Sequence, residues 1–205
     1  MAVILCVETS SKNCSVAIAE NGNLVASQEE YDANYCHGER LHVLINQLLN
    51  KARISINNLD ALAFSNGPGS YTGLRIGAAT IKGLSVALDK NVILVSTLQS
   101  MVWGFLNDMP KSVISQNDYM CPLIDSRIGE VYAGFYDSNL TSHISPFPCS
   151  IMSFPFLDIL TTKKIHFFGP GAYKVKKIVN HPNAFFFDDI SPSSKYLAQL
   201  AQKYY

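Results

Sequence analysis

Residues 66–77 read Asn66-Gly-Pro-Gly-Ser-Tyr-Thr-Gly-Leu-Arg-Ile-Gly77. An apolar run with strand composition, Leu59 to Ser65, leads into them. Thr72 to Leu88 continues as a helix, and Val92 to Ser96 follows as a short strand, expected to be buried. Strand, glycine-rich turn, helix and strand in succession is the repeating unit of a layered sheet with parallel strands. Toward the N-terminus, Leu41, Leu44, Ile45, Leu48, Leu49 and Ala52 recur at helical spacing between His37 and Arg53, which predicts an amphipathic helix with one buried stripe. Before it lie Val3–Val7, Cys14–Ala19 and Leu24–Tyr31. Asn21-Gly22 between the last two is a hairpin signal.

Toward the C-terminus the composition turns polar from Asn107 to Asp118, around Pro110 and Lys111. We place a boundary there, giving expected lobes at residues 1–107 and 108–205. The strand pattern then restarts. Tyr119–Ile124 and Glu130–Tyr136 flank an Asp125–Gly129 turn, and Lys163–Phe168 is a strand ending in Gly169-Pro-Gly171. Ala172 to Val179 reads as a short helix, Ala184 to Phe187 as a core strand, and Pro192 to Tyr205 as a helix. The expected class is α/β with two lobes, the second shorter and less regular. Both open with strand–turn–strand, a hint of duplication.

The glycine-rich turn has the setting in which backbone N–H groups cradle an anion, at the entry to a helix. It does not match a nucleotide loop. No Lys follows the glycines as a P-loop requires, and the third position of G-x-G-x-x-G is Thr72. A tight turn with Ser70 or Thr72 as helix N-cap is the plainer reading. The helix itself is unusual. Between Leu74 and Leu88 its only charges are Arg75 and Lys82, and apolar residues cover nearly all its faces. Such a helix is buried within its lobe or against another chain. A lobe of this size has little material to cover both faces, and Gly73, Gly77, Ala78 and Gly83 allow close helix approach, so a protein interface is expected.

Composition sets limits. The chain has 205 residues, 48% hydrophobic, with 16 Lys+Arg against 16 Asp+Glu. The zero formal charge weighs against a stand-alone nucleic-acid binder. The five cysteines, 6, 14, 36, 121 and 149, have no Cys-x-x-Cys spacing and read as reduced thiols of a cytoplasmic protein. No apolar run is long enough for a membrane span.

Val7-Glu-Thr-Ser10, the Asn66–Gly77 turn, Val95-Ser-Thr-Leu98 and Ile124-Asp-Ser-Arg-Ile-Gly-Glu-Val-Tyr132 together resemble the bacterial TsaB (YeaZ) family. The resemblance runs in order from Val3 to about Tyr136. It implies the actin/sugar-kinase/Hsp70-like fold, two lobes on ribonuclease-H-like cores, the second reduced. It further implies a non-catalytic scaffold for making threonylcarbamoyladenosine next to the anticodon of ANN-reading tRNAs. Its implied partners are a TsaD-like catalytic paralogue and a TsaE-like ATPase, with a homodimer through the same helix as the alternative pairing and tRNA contacted indirectly. The expected partner surface is Gly69, Ser70, Tyr71, Thr72, Gly73, Leu74, Arg75, Ile76, Ala79 and Gly83.

The catalytic relatives' equipment is degraded here. A TsaD-like helix carries His-x-x-x-His, but His37 and His42 are five apart and sit about 140° from each other on a helix. His37 reads as a helix-start or surface residue, His42 as part of the polar face. Glu8, Thr9, Ser10 and Asp125 are then vestiges of phosphate loops, Asp125 capping its own turn or pairing with Arg127. The adenosine-side turn is reduced to Gly169-Pro-Gly-Ala172. We expect no metal and no cofactor, with ATP or ADP only at a shared interface. The rival reading is a small actin-fold ATPase or carbamoyl transferase acting alone. Lys163, Lys164, Lys174, Lys176 and Lys177 form an acid-free basic stretch, read as a solvated face with tRNA or an acidic partner surface as the alternative. The family's Pro-x-Tyr-Leu-Arg tail is not found, and the contacts it makes in relatives are not expected here.

Overall fold

The computed structural model describes residues 2–31, 37–110, 112–154, 156–188 and 190–205; Cys36 and Lys111, named above, lie outside them. Strands β1 (Val3–Glu8), β2 (Asn13–Glu20) and β3 (Asn23–Tyr31) form an antiparallel meander. Asn21 and Gly22 turn it with φ of 51° and 78°, the positive values that a two-residue hairpin demands. Helix α1 (His37–Ala52) packs on β2 and β3, and its predicted stripe, Leu41, Leu44, Ile45, Leu48 and Leu49, is buried. Strand β4 (Ala61–Ser65) lies parallel to β1, helix α2 (Tyr71–Leu88) crosses over, and β5 (Asn91–Val95) lies parallel to β4. The strand order is β3-β2-β1-β4-β5.

Met101–Ser191 make a second compact unit whose boundary falls inside helix α3 (Thr97–Asp108). Its strands are β6 (Tyr119–Asp125), β7 (Glu130–Tyr136), β8 (Ser142–Ser150), β9 (Ile165–Phe168) and β10 (Ala184–Phe187), with helix α4 (Ala172–Lys176) between the last two. The order β10-β9-β6-β7-β8, with β6 to β8 antiparallel and β6, β9 and β10 parallel, repeats the first sheet's topology. This is the arrangement that the duplicated strand–turn–strand openings suggested.

Four expectations need correction. The last helix, α5 (Ser194–Tyr204), belongs to the first unit with residues 192–205, not to a consecutive segment 108–205. It packs across all five strands of the first sheet and buries Leu197, Ala198, Leu200 and Ala201. Its entry is fixed by Ser194, whose backbone N–H donates to Ser15 Oγ at 3.0 Å, and by Asn13, whose amide donates to the Pro192 carbonyl at 3.0 Å. Second, β5 is not buried on both sides: Ile93 and Val95 face inward, while Val92 and Leu94 are exposed at the sheet's edge. Third, β10 is likewise an edge strand, and Phe185 is exposed rather than core. Fourth, α3 and β8 were not anticipated.

Candidate partner-binding site

Helix α2 has two dissimilar sides. Ser70 caps its first turn, the hydroxyl accepting from Gly73 N–H at 3.3 Å, and Asp89 ends it in the left-handed region at φ 52°. On the inner side Gly73, Gly77, Thr80 and Ile81 are buried. A Cβ at Gly69 would collide with the Ser10 carbonyl, one at Gly73 with the Thr9 carbonyl, and one at Gly77 with Thr9 Oγ1 and the Phe64 ring. Gly73 and Gly77, one turn apart on α2, and Gly69 just before its cap thus all let the β1–β2 loop rest directly on them. Ser70 N–H seals the contact by donating to the Ser10 carbonyl at 2.7 Å. The sequence reading missed this inward role, although the spacing carries the signal.

The loop under those glycines is closed. Glu8, Thr9 and Ser10 are fully buried. Glu8 Oε1 accepts from Ser10 N–H at 2.7 Å. Burial pushes the Glu8 carboxyl above its ordinary range, opposed by hydrogen bonding from Ser10, Ser65 and Thr9. His37 is a helix-start residue but not a surface one: it is buried, and its Nε2 lies 2.8 Å from the Ser11 carbonyl. Burial lowers its pKa, an effect opposed by that hydrogen bond. His42 is on the polar face, 3.4 Å from Thr80 Oγ1, so the two rings serve different neighbours. Among the described residues no three His, Cys, Asp or Glu side chains gather as a metal-holding group, and no helix is long and apolar enough to cross a membrane.

On the outer side Tyr71, Thr72, Arg75, Ala78, Ala79, Lys82, Gly83 and Val86 are exposed. Of the expected partner surface, Tyr71, Thr72, Arg75, Ala79 and Gly83 stand in the open. Gly69, Ser70, Leu74 and Ile76 are half-buried, and Gly73 faces inward. Arg75 lies over the Tyr71 ring, 4.2 Å from its centroid. Between α2 and the exposed face of β5 runs a groove of about 500 Å³, walled by Tyr71, Ala78, Val86, Val92 and Leu94.

In the second unit Asp125 pairs with Lys174, not with Arg127. The same ammonium donates to the carbonyls of Arg127 at 2.8 Å and Glu130 at 3.0 Å, stapling the turn. Gly169 and Gly171 sit so tightly on residues 123–125 that a Cβ on either would clash with backbone. The basic stretch is dispersed: Lys176 faces Asp188 at 3.4 Å, and Lys163, Lys164 and Lys177 lie over the rings of Tyr119, Phe185 and Tyr173.

The family model described as TsaD, tRNA N6-adenosine threonylcarbamoyltransferase, matches residues 23–178. The chain belongs to this family. Within it, the chain resembles proteins called TsaB or YeaZ. It is 34% identical over 129 residues to the tRNA threonylcarbamoyladenosine biosynthesis protein TsaB of Haemophilus influenzae, covering 63% of this chain and 51% of that one. The solved structure of YeaZ from Pseudomonas aeruginosa superposes with a TM-score of 0.82 at 26% identity, covering 98% of this chain and 91% of the other. The fold is that of the actin and sugar-kinase group; a polyphosphate/ATP-glucomannokinase from Arthrobacter matches at TM-score 0.53 and 7% identity, a likeness of fold alone. The chain spans about half the length of the curated TsaB relatives it matches first.

Proposed function

We propose that this chain is a non-catalytic scaffold subunit of a tRNA threonylcarbamoyladenosine-forming assembly, paired through the outer side of α2 with a TsaD-like catalytic paralogue. One observation carries the reading. α2 is docked by its glycines on the closed Thr9–Ser10 loop while its other side, including Ala79 and Gly83, stays open, with Arg75 and Lys82 its charges and no acid. An exposed small-residue helix face is a surface on which a second helix packs closely. A scaffold role is further supported by Glu8 being buried beneath that helix and by His37 and His42 serving separate contacts. In this reading the working site is cytoplasmic, a TsaE-like ATPase joins through the paralogue, tRNA is held chiefly by other subunits, and any ATP or ADP sits at the shared interface.

Co-purification with the TsaD-like protein of the same organism, followed by a tRNA threonylcarbamoylation assay with and without this chain, tests the proposal. Pairing and dependence of modification on this chain are expected, with both lost in Ala79→Glu while the circular dichroism spectrum and thermal midpoint hold. ATP turnover or tRNA modification by the chain alone, without pairing, would make it an enzyme and end the scaffold reading.

A further inference from the structure

Glu8 ends β1 where the chain enters residues 9–12, which belong to no strand or helix. Its side chain is shut off from solvent. Oε1 accepts from Ser10 N–H at 2.7 Å, while Oε2 is buried and meets no donor at hydrogen-bond geometry among the described residues. The influences on the carboxyl are burial and hydrogen bonds from Ser10, Ser65 and Thr9, with no charge among them. The titratable groups on the surrounding elements serve other neighbours or lie further off. His37 of α1 is bonded to the Ser11 carbonyl, Glu29 of β3 accepts from Ser15 Oγ at 3.1 Å, and Lys12 is half-buried on the loop itself. The inner side of α2 offers Gly73, Gly77, Thr80 and Ile81, and α3 begins with Thr97, bonded to Ser65. The site suits a neutral carboxyl; an ionised one there is a buried charge without compensation.

The same loop is the seat of α2. The Thr9 carbonyl lies under Gly73 and Thr9 Oγ1 under Gly77. Ser10 joins the two ends of the arrangement: its N–H holds Glu8, and its carbonyl holds Ser70 N–H at 2.7 Å. Residues 9–12 are the cover of Glu8 that no ladder or helix bonds hold, so they are the part that yields when the carboxyl takes on water.

We propose that Glu8 is a proton-operated latch on the seat of α2: with the carboxyl neutral, the loop stays closed beneath Gly69, Gly73 and Gly77, and loss of the proton lets the loop lift and frees the first turn of the helix. The inference stands on this chain alone and goes beyond the pairing read from the outer side of α2. Its sign is fixed. The lifted form has its carboxyl in water, at the ordinary value of 4.5, and the closed form keeps its proton to higher pH. Lifting becomes easier as pH rises from the ordinary value to the closed form's value, by up to about tenfold per pH unit, and levels off above it.

Hydrogen exchange of the full chain followed by NMR tests the latch, with intrinsic amide rates divided out at each pH. The Ser70 amide is expected to exchange ahead of the amides of β1 and β4, by local lifting and not by global unfolding. Its protection is expected to fall by up to about tenfold per pH unit across that window. Glu8→Gln, which cannot ionise, flattens the dependence. A carbon-13 titration of the Glu8 carboxyl in the unmodified chain supplies a check that needs no variant: the fall in Ser70 protection must level off at the Glu8 midpoint. Exchange of Ser70 only together with the core amides, protection that does not change with pH, the same slope in Glu8→Gln, or a Glu8 midpoint at or below the ordinary value would each overturn the proposal.

Discussion

Gly73 lies so close to Thr9 that a Cβ built on it would stand well inside 3.0 Å of the Thr9 carbonyl oxygen. The atom it would meet is backbone, on a loop sealed by the Ser70 to Ser10 hydrogen bond at 2.7 Å. Gly73→Ala is therefore expected to destabilise the chain by about 1–3 kcal/mol or more, as overpacking does. Gly83 is its internal control. A Cβ there meets nothing within 4 Å, so Gly83→Ala is expected to stabilise by about 0.5–1 kcal/mol through helix propensity. Urea denaturation of the two variants checks both signs.

Glu8 makes stability depend on pH in an unusual direction. Its ordinary value is 4.5, and burial raises it in the folded chain. Between 4.5 and the raised value the folded state holds a proton that the unfolded state has released. Stability from this group is thus greatest below the ordinary value and falls as pH climbs through the folded one. Glu8→Gln keeps the acceptor for Ser10 N–H and carries no charge. Its urea midpoint is expected to gain on that of the unmodified chain as pH rises from the ordinary value toward the raised one. A gain that does not change with pH would show that the carboxyl's ionisation is not what folding opposes.

His166 and Asp118 form a buried pair at 2.9 Å, and Asp118 also accepts from Ser115 N–H at 3.0 Å. The rings of Phe105, Phe185 and Phe187 surround the imidazole. Asp118→Ala strands the buried imidazole nitrogen, which costs about 1–3 kcal/mol, while the exposed Ser115 N–H turns to water. The double variant with His166→Phe is expected to recover part of that loss, and a double-mutant cycle by thermal denaturation gives the coupling.

Leu197 is fully buried on α5. Leu197→Ala is expected to cost about 2–5 kcal/mol. The loss should appear in hydrogen exchange of β1 and β2 amides, because α5 packs on those strands. Protection lost only around β6 to β10 would contradict the placement of α5.

The elements legible in the sequence were those whose signals are local. Asn21-Gly22 specified its hairpin, and the stripe from Leu41 to Leu49 specified α1, because both depend on residues a few positions apart. Helix α3 was equally legible in Leu98, Met101, Val102 and Phe105, all buried at helical spacing, just ahead of the polar stretch. β8 was hidden by Pro146 and Pro148, which a strand tolerates at an edge. Long-range choices were not legible. Nothing near Asp125 names Lys174 over Arg127 as its partner, and nothing in residues 192–205 says which sheet α5 will cover. The glycine-rich turn was the intermediate case. Its composition marked a close approach, but the glycines at 69, 73 and 77 seat α2 on its own chain, and only the opposite side is left for a partner.

The return of α5 to the first sheet puts the order of synthesis and the order of completion at odds. β1 to β5 emerge from the ribosome first, yet the layer that covers one of their faces arrives only with residues 192–205. The second unit is continuous from 101 to 191 and has all its own strands beforehand. The half of the chain that is made first is thus the half that is finished last. During translation its apolar sheet waits with one face bare, the interval in which a nascent chain depends most on chaperones.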